Sequence, residues 1–236
     1  MTTWASLLRT ATPGQRDKEY AVSLKIDSLD PNTTALLLID LQNDFVEPGA
    51  PLETPMAYQN LPRLKELVSF CRDRGIQLIY TRHAHDADGS DMGLFAQIYP
   101  GLGEGAALIE GQRGAQIFDE LAPQEGDLMV RKQRYSGFFQ TNLDLTLRSN
   151  GIRDVAIAGA TSEDCCLATA RDAMYRGYRV AFLSDATGTY DYPDIGYGPV
   201  KAEDLHRTIL TVVGVTTGHV MTVEEFQALV SGDSQP

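Results

Sequence analysis

Apolar positions fall into short blocks along the chain, and the blocks alternate between two patterns. ALLLID (Ala35–Asp40) is a continuous apolar run that ends on a carboxylate. That is how a strand buried on both faces of a parallel sheet reads. Residues 60–74 follow, with Leu61, Leu64, Leu67, Val68 and Cys71 at helical spacing and Gly75 placed to stop the helix. IQLIYTR (Ile76–Arg82) predicts a second strand and DLMVRK (Asp127–Lys132) a third. Residues 140–149 read as a helix ended by Asn150-Gly151. DVAIAG (Asp154–Gly159) is a fourth strand. CLATARDAMYRG (Cys166–Gly177) is helical, with Leu167, Ala170, Ala173 and Met174 on one face. YRVAFLSDA (Tyr178–Ala186) gives a fifth strand, DLHRTILTVVG (Asp204–Gly214) a helix, and HVMT (His219–Thr222) a short last strand.

Strand and helix alternate in this way over residues 34–236. The pattern predicts one three-layer α/β/α domain around a mostly parallel sheet. No repeat, low-complexity tract or linker divides it. Residues 1–33 are polar and mixed, with no sustained period, and read as an arm wrapped on the body or on a neighbouring subunit.

Composition narrows the partners. The net charge of -12 disfavours nucleic acid, because phosphate binding needs a basic face. It equally disfavours an anionic membrane surface. No window approaches the roughly 18 apolar residues of a membrane span. The segment MTTWASLLRTATPGQRDKEY has no signal-peptide core of sufficient length. Three cysteines, an odd number without regular spacing, suit a reducing compartment, so a cytoplasmic location is expected.

Candidate chemistry then concentrates at one edge of the sheet. Ligand sites of such sheets form beyond the carboxyl ends of the strands. Asp40 ends the first strand, and Lys132 ends the third. The stretch GATSEDCCLATARDA (Gly159–Ala173) places two cysteines after the fourth, where a helix begins. Adjacent cysteines bridge each other only with backbone strain, so a single reactive thiol is the alternative. At a helix N-terminus the dipole and free N–H groups favour thiolate and can hold an oxyanion. Carboxylate, amine and thiol together make the nucleophile and base of an acyl transfer.

ALLLIDLQNDF, VRKQRYSGFFQTNLD and GATSEDCCLATARDA, taken in order, resemble the isochorismatase-like cysteine hydrolases. That superfamily includes nicotinamidase, N-carbamoylsarcosine amidohydrolase, ureidoacrylate amidohydrolase and biuret-type hydrolases. The resemblance runs from about residue 33 to 226. It implies a Rossmann-like α/β fold and a catalytic triad of Asp40, Lys132 and one cysteine. The family pattern sets the nucleophile six residues after the strand-ending glycine and four before a Thr-Ala pair. Counting from Gly159 and back from Thr169 both give Cys165. Cys166 then falls at a small apolar position, and it and Cys71 read as buried hydrophobes.

The resemblance further implies an oxyanion hole from the backbone N–H groups of Thr161 and Cys165, with a cis peptide at Ala160-Thr161. It implies hydrolysis of a small amide, carbamoyl compound or ureide through a thioester, with no metal and no organic cofactor. A linear ureide or carbamoyl amide is favoured over nicotinamide. The rival readings are a nicotinamidase-type or maleamate-type amidase, a vinyl-ether hydrolase, and a non-catalytic interaction module. The complete triad speaks against the last two. Relatives of this fold are commonly dimers or tetramers, so a homo-oligomer is expected, with Trp4 as an anchor of the arm.

His83 and His85 form a His-x-His after a strand, a spacing that can bind metal. In nicotinamidases this place resembles Asp-x-His with another histidine further on; here none follows until His206. Substrate contact is therefore preferred for both, with two surface histidines as the alternative. Phe45 and Tyr135 are the other expected substrate-binding residues, and residues 187–200 a lid. Asp44 is assigned a structural role in its loop. Gly101-Leu102-Gly103-Glu104-Gly105 lacks the context of a phosphate loop and is expected to be a flexible connection.

Overall fold

A computed structural model describes residues 24–232. Six strands form one sheet: β1 (Thr34–Ile39), β2 (Gln77–His83), β3 (Leu128–Lys132), β4 (Asp154–Ala160), β5 (Arg179–Gly188) and β6 (His219–Met221). The spatial order is β3-β2-β1-β4-β5-β6, and every neighbouring pair is parallel. β1 and β4 are the central pair, and all residues of both strands are buried. This explains why their sequences are continuously apolar rather than alternating.

Alternate residues of each strand feed two separate cores. Leu36, Leu38, Leu78, Tyr80 and Ala158 face helices α1 (Leu61–Asp73) and α5 (Val223–Ser231). Leu37, Ile39, Ile79, Ile157 and Phe182 face α2 (Leu143–Ser149), α3 (Leu167–Tyr175) and α4 (Ala202–Thr216). The sheet is thus sandwiched between helical layers. Within α1, Leu64 and Leu67 are fully buried, and each contributes about 1.5–3 kcal/mol by leaving water.

The expected strands and helices recur within two or three residues of their ends. Helix α5 was not anticipated, although Thr222 and Glu225 form a capping box at its start. The segment Gly101–Gly105 departs from the expected flexible loop. A helical turn, Pro100–Gly103, packs there against a preceding turn, Phe95–Ile98, where Gly103 lies close to Ala96. Of the expected arm, residues 1–23, including Trp4, lie outside the described residues. Residues 24–33 pack on their own domain: Ile26 and Leu29 are buried, and Leu29 N–H donates to the Leu229 carbonyl.

Candidate active site

Where the sheet order reverses, between β1 and β4, the loops leaving the two strands diverge and open a crevice. Asp40 is the first residue beyond β1. Its φ of 48° is rare for a residue with a side chain, though Asp tolerates it better than most. Thr81 of β2 brackets it: the hydroxyl donates to Asp40 Oδ1 at 2.7 Å and lies 3.1 Å from the Asp40 N–H. The other carboxylate oxygen, Oδ2, is 2.7 Å from Lys132 Nζ. Lys132 closes β3 and also donates to Cys165 Sγ at 3.3 Å and to the Arg134 carbonyl at 3.0 Å. Asp40 and Lys132 are both wholly buried, and Cys165 is 4% exposed. Three groups that are far apart in sequence therefore meet around one ammonium.

Cys165 sits on a π-helical turn, Ser162–Cys166, that leads into α3. The Ala160-Thr161 peptide before it is cis. Gly159 must be glycine: its φ is +126°, and a Cβ there would overlap the Ile39 backbone of β1. Ser162 pins the turn from behind. Its hydroxyl meets His206 Nδ1 at 2.8 Å, while His206 Nε2 faces the Ser184 carbonyl at 2.9 Å. The carbonyl can only accept, so Nε2 carries the proton and Nδ1 accepts from Ser162. Cys166 is buried in the core beside α3, as its apolar role requires. Cys71 is likewise buried, and burial pushes its thiol up to about 12.

Burial pushes the Cys165 thiol well above its ordinary range; Lys132 pulls it down and Asp40 pushes it up further. For Lys132, burial opposes the charge, but Asp40 and Cys165 beside it prevail and hold the ammonium above its ordinary value. The ammonium is therefore favoured, and burial holds the thiol toward its neutral form. A nucleophile must be made by moving the thiol proton, and Asp40 is the adjacent acceptor.

In front of Cys165 lies a cavity of about 410 Å³. Phe45, His83 and Tyr135 line it, as does Thr161. His85 does not. The chain leaves the sheet after His83, and His85 pairs instead with Ile109. Its ring is fully buried behind His83, with Nε2 3.1 Å from His83 Nε2 and Nδ1 3.1 Å from Asp91. The two histidines are thus neither surface groups nor both substrate contacts. Burial lowers the pKa of each, and the Lys132 charge adds to the effect on His83. Asp44 has the structural role expected of it. Its carboxylate accepts from the Leu108 N–H at 2.7 Å, and any side chain at Gly114 would overlap it.

Several contributors were not anticipated. Thr81 positions the base. Gln42 clamps the loop after β1 through the His83 N–H and the His83 and Ala115 carbonyls. Phe95, Tyr99, Leu108 and Tyr190 complete the cavity wall. Tyr190 belongs to the segment 187–200 that was expected to cover the site. Asp40, His83 and Cys165 bring three potential metal ligands within 4.8 Å of one another, as no other group of His, Cys, Asp or Glu does among the described residues. An ion there would be pressed against the Lys132 ammonium, which already holds two of the three. The donor set therefore fits an ammonium, not a metal ion.

Comparison with known proteins gives the family. The family model of the isochorismatase domain matches residues 34–225. Ureidoacrylate amidohydrolase RutB of Rhizobium rhizogenes is 31% identical over 222 residues, covering 86% of both chains. Nicotinamidase 3 of Arabidopsis thaliana is 29% identical over 211 residues, covering 86% of this chain and 93% of that protein. The crystal structure of a cysteine hydrolase from Pseudomonas syringae pv. phaseolicola superposes with a TM-score of 0.85 at 32% identity, covering 89% of this chain and 98% of the other. By fold, by motif order and by these matches, the chain is a member of the isochorismatase family of hydrolases.

Proposed function

We propose that the chain is a cysteine amidohydrolase that releases ammonia from a small amide, carbamoyl compound or linear ureide. One observation carries this reading: the Lys132 ammonium lies between the Asp40 carboxylate and the Cys165 thiol, immediately behind the cavity. Asp40 takes the proton of the thiol, and Lys132 steadies the thiolate as it forms. The sulfur attacks the amide carbon. The N–H groups of Thr161, just before the π-helical turn, and of Cys165, within it, are the donors offered to the oxyanion. Asp40 passes its proton to the leaving nitrogen, the C–N bond breaks, and ammonia departs. A water then attacks the thioester and gives its proton to Asp40. The carbon–sulfur bond breaks, the acid leaves, and the proton returns to Cys165.

The likeness to RutB supports a ureide substrate, and the likeness to a plant nicotinamidase supports a second reading, a ring-bearing primary amide. An ammonia-release screen over biuret, triuret, ureidoacrylate, N-carbamoyl amino acids, maleamate and nicotinamide distinguishes them. Cys165→Ala should lower turnover of any accepted compound by about 10³-fold or more. Cys166→Val should retain most of it, since that side chain only fills core volume. A dead Cys166→Val beside an active Cys165→Ala would assign the nucleophile to the wrong sulfur.

A further inference from the structure

The cavity in front of Cys165 has a charge and a surface that select among amides. Its walls are aromatic: Phe95 meets Tyr135 edge-on at 5.0 Å and stacks on Tyr99 at 6.1 Å. The two tyrosine hydroxyls bond each other at 3.0 Å, so both rings turn apolar surface to the cavity. At about 410 Å³ it holds the volume of roughly fourteen waters at about 30 Å³ each. That is ample for a flat ring carrying an amide.

No lysine or arginine lines the cavity; its charged residues are Glu53 and Asp164. Glu53 is exposed and accepts from the Gly49 N–H. Asp164 is different. It precedes the nucleophile, is half-buried, and its side chain receives no hydrogen bond from any described residue. Its neighbour Glu163 accepts from Tyr192 at 3.1 Å through Oε1, while its buried Oε2 has no hydrogen-bond partner among the described residues. The nearest ammonium, Lys132, is already held by Asp40, Cys165 and the Arg134 carbonyl. Arg134 itself lies over the Phe95 ring and donates to the Asp91 and Gln133 carbonyls. A partly desolvated carboxylate is stabilised by a ligand that brings a donor or a positive charge.

We infer that Asp164 is a specificity-determining acceptor, and that the site takes amides with a flat apolar body and a donor-rich or cationic group while rejecting those that carry a carboxylate. This rests on the amidohydrolase reading above and narrows its substrate class, excluding ureidoacrylate, N-carbamoyl amino acids and maleamate, so that this chain departs from RutB in the substrate it accepts. A carboxylate placed in this cavity would meet Asp164, and the nearest cation, Lys132, is already paired with Asp40.

Three probes of one shape test it: 4-(aminomethyl)benzamide, benzamide and 4-carbamoylbenzoate. Binding is measured by calorimetry to the Cys165→Ala chain at pH 7.5, and ammonia release with the unaltered enzyme. The cationic probe should bind tighter than the neutral one, and both at least about tenfold tighter than the anionic one. Asp164→Asn in the same background should abolish the preference for the cationic over the neutral probe, and Asp164→Glu should keep it. A melting curve for each variant confirms that it folds. Equal binding of all three probes, binding of none, or ratios untouched by Asp164→Asn would overturn the inference. Selective binding without ammonia release upholds it and would instead count against the amidohydrolase reading.

Discussion

A fully buried ion pair is a liability unless both charges are used. Asp40 and Lys132 are both completely covered, so removing one partner strands the other in low dielectric. Lys132→Met should therefore destabilise the fold by about 3–5 kcal/mol. The double variant Asp40→Asn/Lys132→Met, which leaves no charge, should recover much of that loss while remaining inactive. Denaturant titration of the four chains measures the coupling. If the double variant is no more stable than the sum of the single losses predicts, the pair is not electrostatically coupled. Lys132→Met should also slow alkylation of Cys165 at pH 7, because burial already disfavours the thiolate and the compensating charge is gone. Identical alkylation profiles would mean that Lys132 does not act on the sulfur. Asp40, Lys132 and Cys165 were legible in the sequence because each lies in one of the three motifs that carry the family resemblance. Thr81 and Gln42 were not. Their contacts with Asp40 and His83 follow from how β2 lies beside β1, which no local pattern encodes.

Among the elements, the π-helical turn Ser162–Cys166 governs where the nucleophile points. Sequence periodicity placed a helix start there, but it could not distinguish one wide turn from ordinary helix. Helix α5 escaped for a different reason. Its signal is a capping box, Thr222 with Glu225, directly abutting a strand of three residues, so the two patterns merge. The π turn is braced by α4 through His206, which links Ser162 to the β5 carbonyl of Ser184. His206→Phe keeps bulk and removes both hydrogen bonds, leaving a buried hydroxyl and carbonyl without them. We expect kcat to fall by about tenfold or more with KM little changed, because the nucleophile is displaced and the cavity wall is not. His206→Gln, which offers an acceptor and a donor, should restore part of the rate. A variant with KM raised and kcat intact would show that His206 acts on binding instead.

At the scale of the whole molecule, alternation of strand and helix predicted the layers, but not the strand order, which depends on which crossover returns to which edge. That order puts β1 beside β4 and so creates the crevice. The cavity wall is also nonlocal: Phe95, Tyr99 and Leu108 come from the long excursion between β2 and β3, where no period was visible. A homo-oligomer remains our expectation for the full chain, and a monomeric mass by light scattering at micromolar concentration would exclude it. Asp164 offers a test that reads the folding of the entire chain. Burial, with repulsion from Glu163 and against the pull of Lys132, raises its carboxyl to about 6. An unfolded aspartate titrates near 3.9. Between those values the folded chain holds a proton that the unfolded chain has lost, so this group's contribution to stability falls as pH rises through that interval and stays low above it. Asp164→Asn lacks the contribution altogether. Its gain in stability over the unaltered chain should be small at pH 4 and grow until about pH 6. At pH 7.5 it should reach about 1–2 kcal/mol after allowing for solvent screening, or about 2–8 °C in Tm for a chain of this size. Melting curves of both chains from pH 4 to 8 measure it. A gain that does not change with pH would mean that Asp164 titrates as it does in water, and the desolvated carboxylate on which substrate selection rests would be absent.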